Sequence, residues 1–179
     1  VAHWFKLLSG TVRRSFLISS VKMASSDRPA PSIMFVCLGN INRSACAHWV
    51  LKRKTDQAGV PVSIASSGTS SYHVGGPADS DMIKAASKAG YDMRDHIAAQ
   101  VHKADADTYD YIIAMDSSNM QDLKQLLPEA AHDKLHMFCS FCPDEGVVDV
   151  PDPYYEGGHA GVVSLVEKGA QGIIDKLLK

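Results

Sequence analysis

Ile33-Met34-Phe35-Val36-Cys37-Leu38-Gly39-Asn40-Ile41-Asn42-Arg43-Ser44 is the stretch that decides the fold. Ile33 to Val36 form a short continuous apolar run, as expected of a strand buried on both faces. A Gly/Asn loop follows, and from Ser44 to about Asp56 the pattern is helical, stopping before Gly59 and Pro61. Strand, tight loop and helix in that order describe the opening of a parallel α/β sheet. In such sheets ligands gather at the carboxyl ends of strands, where the next helix offers free N–H groups and the positive end of its dipole. Cys37 falls at that place. A thiol facing several backbone amides and a guanidinium is favoured as the nucleophilic thiolate. Arg43 can return to the loop mouth and pair two oxygens of a tetrahedral oxyanion. Gly39 and Asn40 suit the positive-φ turns that point successive amides inward. Ser44 can donate to the thiolate or cap the helix. A buried structural thiol is the commoner fate of a cysteine. Here it is outweighed by Cys, Gly, Asn, Arg and Ser falling together within eight positions.

Outward from this loop the alternation continues. Val62–Ala65 reads as a second strand, Ser66 to Pro77 as a polar Gly-rich loop, and Ala78 to Ala89 as a helix stopped by Gly90. Tyr109–Met115 reads as a third strand, and Ser117 or Ser118 caps a helix running to Leu127. Leu135–Phe141 reads as a fourth strand, a Pro/Asp-rich loop extends through Pro153, and a last helix runs from near Gly158 to Leu178. The fold class is therefore α/β: a four-stranded parallel sheet with helices on both faces and a phosphate-binding loop after the first strand.

The 179 residues fit one domain, expected over 31–179. Residues 1–30 carry five basic side chains against Asp27, a charge of +4, while the remaining 149 residues sum to −6. This leader reads as a transit peptide or as sequence upstream of a start at Met23, followed by a Ser/Pro linker. A formal charge of −2 argues against nucleic acid as a partner, and no apolar run approaches the ~20 residues of a membrane span. Four cysteines are too few for a disulfide scaffold and suit a reducing compartment. The expected location is cytoplasmic, or a mitochondrion or plastid if residues 1–22 are a transit peptide. His132, His136, Cys139 and Cys142 match no common zinc spacing. On a strand, moreover, Cys139 would oppose both His136 and Cys142. No metal is expected.

With these residues in view, the sequence resembles the low-molecular-weight protein tyrosine phosphatases, whose signature is Cys-x-Gly-Asn-x-Cys-Arg-Ser with Asp-Pro-Tyr far downstream. The likeness rests on Cys37 to Ser44 and on Asp152-Pro153-Tyr154-Tyr155. It extends to the segment around Tyr72, His96-Ile97-Ala98, Tyr109–Ile112 and Met115–Asn119, covering nearly everything but the leader. The resemblance implies hydrolysis of phosphotyrosine in proteins and of small aryl phosphates. Cys37 would attack phosphorus, Arg43 and the loop amides (Leu38 to Asn42) would hold the oxygens, and Asp152 would be the general acid, with Asp149 as backup. Asn40, Ser44 and Ser66 would hold loop and thiolate; Leu38, Ile41, Tyr72, Tyr154 and Tyr155 would form the substrate pocket. No cofactor is implied, phosphotyrosine proteins would be the partners, and a monomer or weak dimer is expected.

Taken apart from the resemblance, Asp152 is as consistent with Asp-Pro turn chemistry as with acid catalysis, and Tyr155 with covering a core edge. The chain departs from the family at Asn42, where a second cysteine is usual, and at Ala45, His48, Trp49, Ala65 and Ala99. Asn42 cannot form the shielding disulfide, so over-oxidation of Cys37 or a substitute thiol is expected; Cys46 is read as core-facing. Two rival readings remain. One is an arsenate reductase of the same architecture, for which Cys139-x-x-Cys142 would be the redox pair. The other is an inactive phosphotyrosine-binding module.

Overall fold

In the computed structural model, residues 29–179 are described, and the expectations for residues 1–28 lie outside them. Ten regular elements follow in chain order: β1 Ser32–Cys37, α1 Arg43–Ala58, β2 Ser63–Gly68, α2 Ser80–Lys88, α3 Asp105–Thr108, β3 Tyr111–Ala114, α4 Ser117–Leu126, β4 Leu135–Met137, α5 Pro153–Glu156 and α6 His159–Leu177. The sheet has four strands in the order β2-β1-β3-β4, every pairing parallel. The chain steps from β1 to one side and then returns to the other, so the switch in strand order falls at the carboxyl end of β1. That is where Cys37 stands.

β1 is buried along nearly its whole length, and its side chains alternate between two cores. Ile33, Phe35 and Cys37 pack with α1, α2 and α6, whereas Met34 and Val36 pack with Val101, Ala106, Leu123 and Leu127 on the opposite face. Helices therefore cover both faces, as the continuous apolar run required. α2 starts on Asp79, whose carboxylate accepts from the N–H groups of Asp81 and Met82. No helix of the described residues is long and apolar enough to cross a membrane.

The structure corrects several sequence-based boundaries. β2 extends through Ser66-Ser67-Gly68, a polar stretch read as loop, because β1 pairs with it residue for residue up to Cys37↔Gly68. Tertiary pairing there overrides low strand propensity. The helix beginning at Ser117 is capped by Asp116, whose carboxylate accepts from Asn119 N–H at 2.7 Å, not by either serine. β4 ends at Met137 after three residues, and Phe138–Phe141 wind into a 3-10 turn under α6. The parity argument that set Cys139 opposite Cys142 therefore fails: in a 3-10 turn residues i and i+3 share a face.

Candidate active site

Asn40 shapes the loop between β1 and α1. Its φ of 55° is the only positive value outside glycine among the described residues. Four hydrogen bonds hold it there. Its N–H points at Cys37 Sγ (3.3 Å), its side-chain amide donates to Ser44 Oγ (2.9 Å), and its Oδ1 accepts from Ala99 N–H (2.9 Å). Its carbonyl lies 2.7 Å from His96 Nε2. The loop is also tightly backed from behind: a Cβ at Gly68 would lie 2.5 Å from the Leu38 carbonyl.

Cys37 Sγ sits 3.0 Å from Ser44 Oγ, and Ser44 Oγ lies 3.2 Å from the Ser67 carbonyl. The hydroxyl has one proton for the two neighbours. With the thiolate present it donates to sulfur; with the thiol present it can accept from S–H and donate to Ser67. The expectation for Ser66 is corrected here. Its side chain meets His48 (3.4 Å), and the contact to Ser44 is made instead by the backbone carbonyl of the adjacent Ser67.

Arg43, the first residue of α1, is almost fully buried and spreads its guanidinium between two acids. One terminal nitrogen pairs with Asp116, and the other donates to Asp152 Oδ2 at 2.6 Å. Its Nε has no protein partner among the described residues. A buried N–H of that kind costs on the order of 1–3 kcal/mol unless something accepts from it. Asp152 is held in turn as the cap of α5, accepting from Tyr154 N–H at 3.2 Å. Asp149 points elsewhere, accepting from the N–H and hydroxyl of Ser117.

These groups converge on one cavity of about 330 Å³ lined by Cys37, Leu38, Gly39, Ile41, Asn42, Arg43, Ser70, Tyr72, His73, Asp152, Tyr154 and Tyr155. The floor is the thiol and guanidinium, and the walls are aromatic and apolar. Tyr154 is half-exposed with its ring 4.8 Å edge-on from that of Tyr155, which is 92% exposed and covers no core edge. His73 tilts toward Tyr154 and overlies Gly39, where a Cβ would meet its ring at 2.8 Å. Asn42 is buried at the start of α1, and its Oδ1 has no partner among the described residues. Among the described residues no group of three or more His, Cys, Asp or Glu side chains is arranged to hold a metal ion.

Sequence reasoning missed Asp116, Ser67, His73 and the assembly behind the loop. There Trp49 Nε1–H points at His96 Nδ1 (3.4 Å), and the indole stacks on His48 at 5.5 Å. Nδ1 is thereby an acceptor, so Nε2 carries the proton donated to Asn40. Burial holds both imidazoles below their ordinary range, His48 down to about 4, with His96 and Lys52 adding to the effect on His48. Cys46 lies in the core as expected, its thiol pushed up to about 12, chiefly by burial.

The sequence model of the low molecular weight phosphotyrosine protein phosphatases matches residues 32–179. The chain belongs to that family. The slr0328 protein of Synechocystis sp. is 39% identical over 153 residues, covering 82% of this chain and 96% of its own length. The low molecular weight protein-tyrosine-phosphatase YfkJ of Bacillus subtilis is 31% identical over 150 residues, covering 83% and 96%. Its crystal structure superimposes with a TM-score of 0.81 at 29% identity, covering 84% of this chain and 96% of that one. A protein tyrosine phosphatase from Entamoeba histolytica, crystallised with Hepes in its active site, gives a TM-score of 0.78 at 37% identity, covering 83% and 97%.

Proposed function

We propose that the protein hydrolyses phosphotyrosine in proteins, and small aryl phosphate monoesters, through a cysteinyl-phosphate intermediate. One observation carries the reading: Cys37 Sγ, the Arg43 guanidinium and the Asp152 carboxylate meet at a single aromatic-walled cavity, with the Asn40 amide on the sulfur. An incoming phosphate dianion competes with Asp152 for Arg43, which Asp116 holds from behind, and gives the unpartnered Nε an acceptor. Displaced from Arg43, Asp152 in its acid form faces the ester oxygen. The thiolate attacks phosphorus, an S–P bond forms, the P–O bond breaks, and the leaving phenolate takes the Asp152 proton. Loop amides and Arg43 meet the charge on the equatorial oxygens as it redistributes. Water then attacks phosphorus, Asp152 accepts its proton, phosphate departs and the thiolate is restored. Tyr72, Tyr154 and the half-buried His73 wall the space above, which suits a flat aryl group.

The test compares leaving groups. Asp152→Ala should slow hydrolysis of aryl phosphates with poor leaving groups at least ten times more than those with good ones, because only the former need the proton. Cys37→Ser should abolish turnover while vanadate still binds. Equal slowing across the series refutes the acid role. Arsenate reduction coupled to thiol oxidation would support the reductase alternative, and binding without turnover a phosphotyrosine-binding module.

A further inference from the structure

Cys139 and Cys142 are outside the catalytic cavity, and the conformation of their segment changes what they can do. Along a strand, three residues would separate them by about 10 Å on opposite faces. In the observed turn Cys142 N–H donates to the Cys139 carbonyl at 3.1 Å. A turn closed in this way holds its end Cα atoms within about 7 Å, overlapping the roughly 4.4–6.8 Å span of disulfides.

The turn is also fixed from outside. Phe138 and Phe141 are buried, and α6 approaches so closely that a Cβ at Gly172 would lie 1.9 Å from the Phe141 carbonyl. Lys176 Nζ donates to the Ser140 carbonyl at 2.9 Å, a further tie between the turn and the last helix. Both thiols are buried, and burial, then Glu145, pushes that of Cys142 up, while Cys139, Lys168 and Lys176 act the other way. Cys139 is the less acidic partner, pushed up to about 11, first by burial.

We propose that Cys139 and Cys142 form a redox-active dithiol that closes to a disulfide when peroxide is present. Cys142 sulfur attacks one peroxide oxygen, the O–O bond breaks, water leaves and a sulfenic acid remains. Cys139 sulfur then attacks Cys142 sulfur, its proton passing to the departing hydroxide as a second water. Two thiols lose two electrons and two protons, and one peroxide becomes two waters. Cys142 also caps the 3-10 turn Pro143–Glu145, the root of the segment leading to Asp152, so the bond would stiffen the base of that segment.

The test does not depend on phosphatase turnover. Full-length Cys37→Ser protein is treated with hydrogen peroxide, denatured, alkylated with iodoacetamide and mapped by mass spectrometry. Cys139 and Cys142 should be protected together, with a loss of 2 Da on their peptide that dithiothreitol reverses, while Cys46 is alkylated throughout. In Cys139→Ser the sulfenic acid at Cys142 should be trapped by dimedone several-fold more than Cys139 is in Cys142→Ser. The unsubstituted chain, whose Cys37 peptide is read separately, repeats the mapping without any variant. Full alkylation of both cysteines after peroxide, or independent sulfinic acids without the 2 Da loss, overturns the proposal.

Discussion

Asp116 is the most informative residue to change, because its two oxygens do separate things. One belongs to the charge pair with Arg43, the other caps α4 through Asn119 N–H. Asp116→Asn keeps a good cap but removes the charge, whereas Asp116→Ala removes both. Breaking a buried ion pair costs about 3–5 kcal/mol when the remaining charge is stranded. Arg43 is not stranded, since Asp152 and, at 3.4 Å, the Val150 carbonyl remain on it. The expected loss for Asp116→Asn is therefore that of one charged hydrogen bond, about 2–3 kcal/mol. Asp116→Ala should lose about 1 kcal/mol more, the worth of the cap. Urea unfolding of both variants measures these values. The same two proteins should lose kcat/KM on an aryl phosphate by one to two orders of magnitude, because Arg43 is no longer aimed from behind; each decade is about 1.4 kcal/mol. Two results would refute the reasoning: Asp116→Asn within about 0.5 kcal/mol of wild type with unchanged kcat/KM, the range of an ordinary surface change, or equal losses in the two variants.

Trp49→Phe keeps the ring but removes the donor to His96. Nitrogen-15 NMR should then find His96 no longer confined to the Nε2–H form and titrating at higher pH, with kcat/KM down about five-fold, as for one lost hydrogen bond. His48 has its folded-state value near 4 against an ordinary 6.5, so the unfolded chain binds more protons between those limits. Stability should fall as pH drops through that window, by up to about 3 kcal/mol, with His96 acting in the same direction. Denaturation curves from pH 7 to 4 on wild type and His48→Gln read this as a shallower slope in the variant. Gly172→Ala should cost about 3 kcal/mol or more from its clash with the Phe141 carbonyl, which belongs to the backbone. Gly161→Ala, in the same helix with nothing within 4 Å, should gain up to about 1 kcal/mol, and thermal melts separate the two.

Much of the architecture could be read from local pattern. The apolar run at Ile33–Val36, the Gly/Asn loop and the helix after it lie where expected, as does the alternation that makes the sheet parallel. What escaped was set by partners distant in sequence. Ser66-Ser67-Gly68 looks like loop and becomes strand because β1 lies alongside. Asp116 looks like one more polar residue before a helix, and its pairing with Arg43 leaves no periodic trace. An acid directly before Ser117-Ser118-Asn119 was nonetheless a cap signal that could have been weighed above either serine. The Ser66 expectation missed by one residue, because the contact to Ser44 comes from a backbone carbonyl, which no side-chain pattern marks. β4 ends early where Phe138 and Phe141 turn in against Gly169 and Gly172 of α6, a fit that belongs to the last helix.

The single proton on Ser44 couples the ionisation of the sulfur to the backbone of β2. Whenever Cys37 is ionised the hydroxyl turns toward it and away from the Ser67 carbonyl; when the sulfur is protonated, the hydroxyl is free to return. A carbon-13 label at the Ser67 carbonyl is thus a reporter of the charge on Cys37, placed in a buried part of the sheet. Following its chemical shift would report whether the sulfur is ionised without touching it.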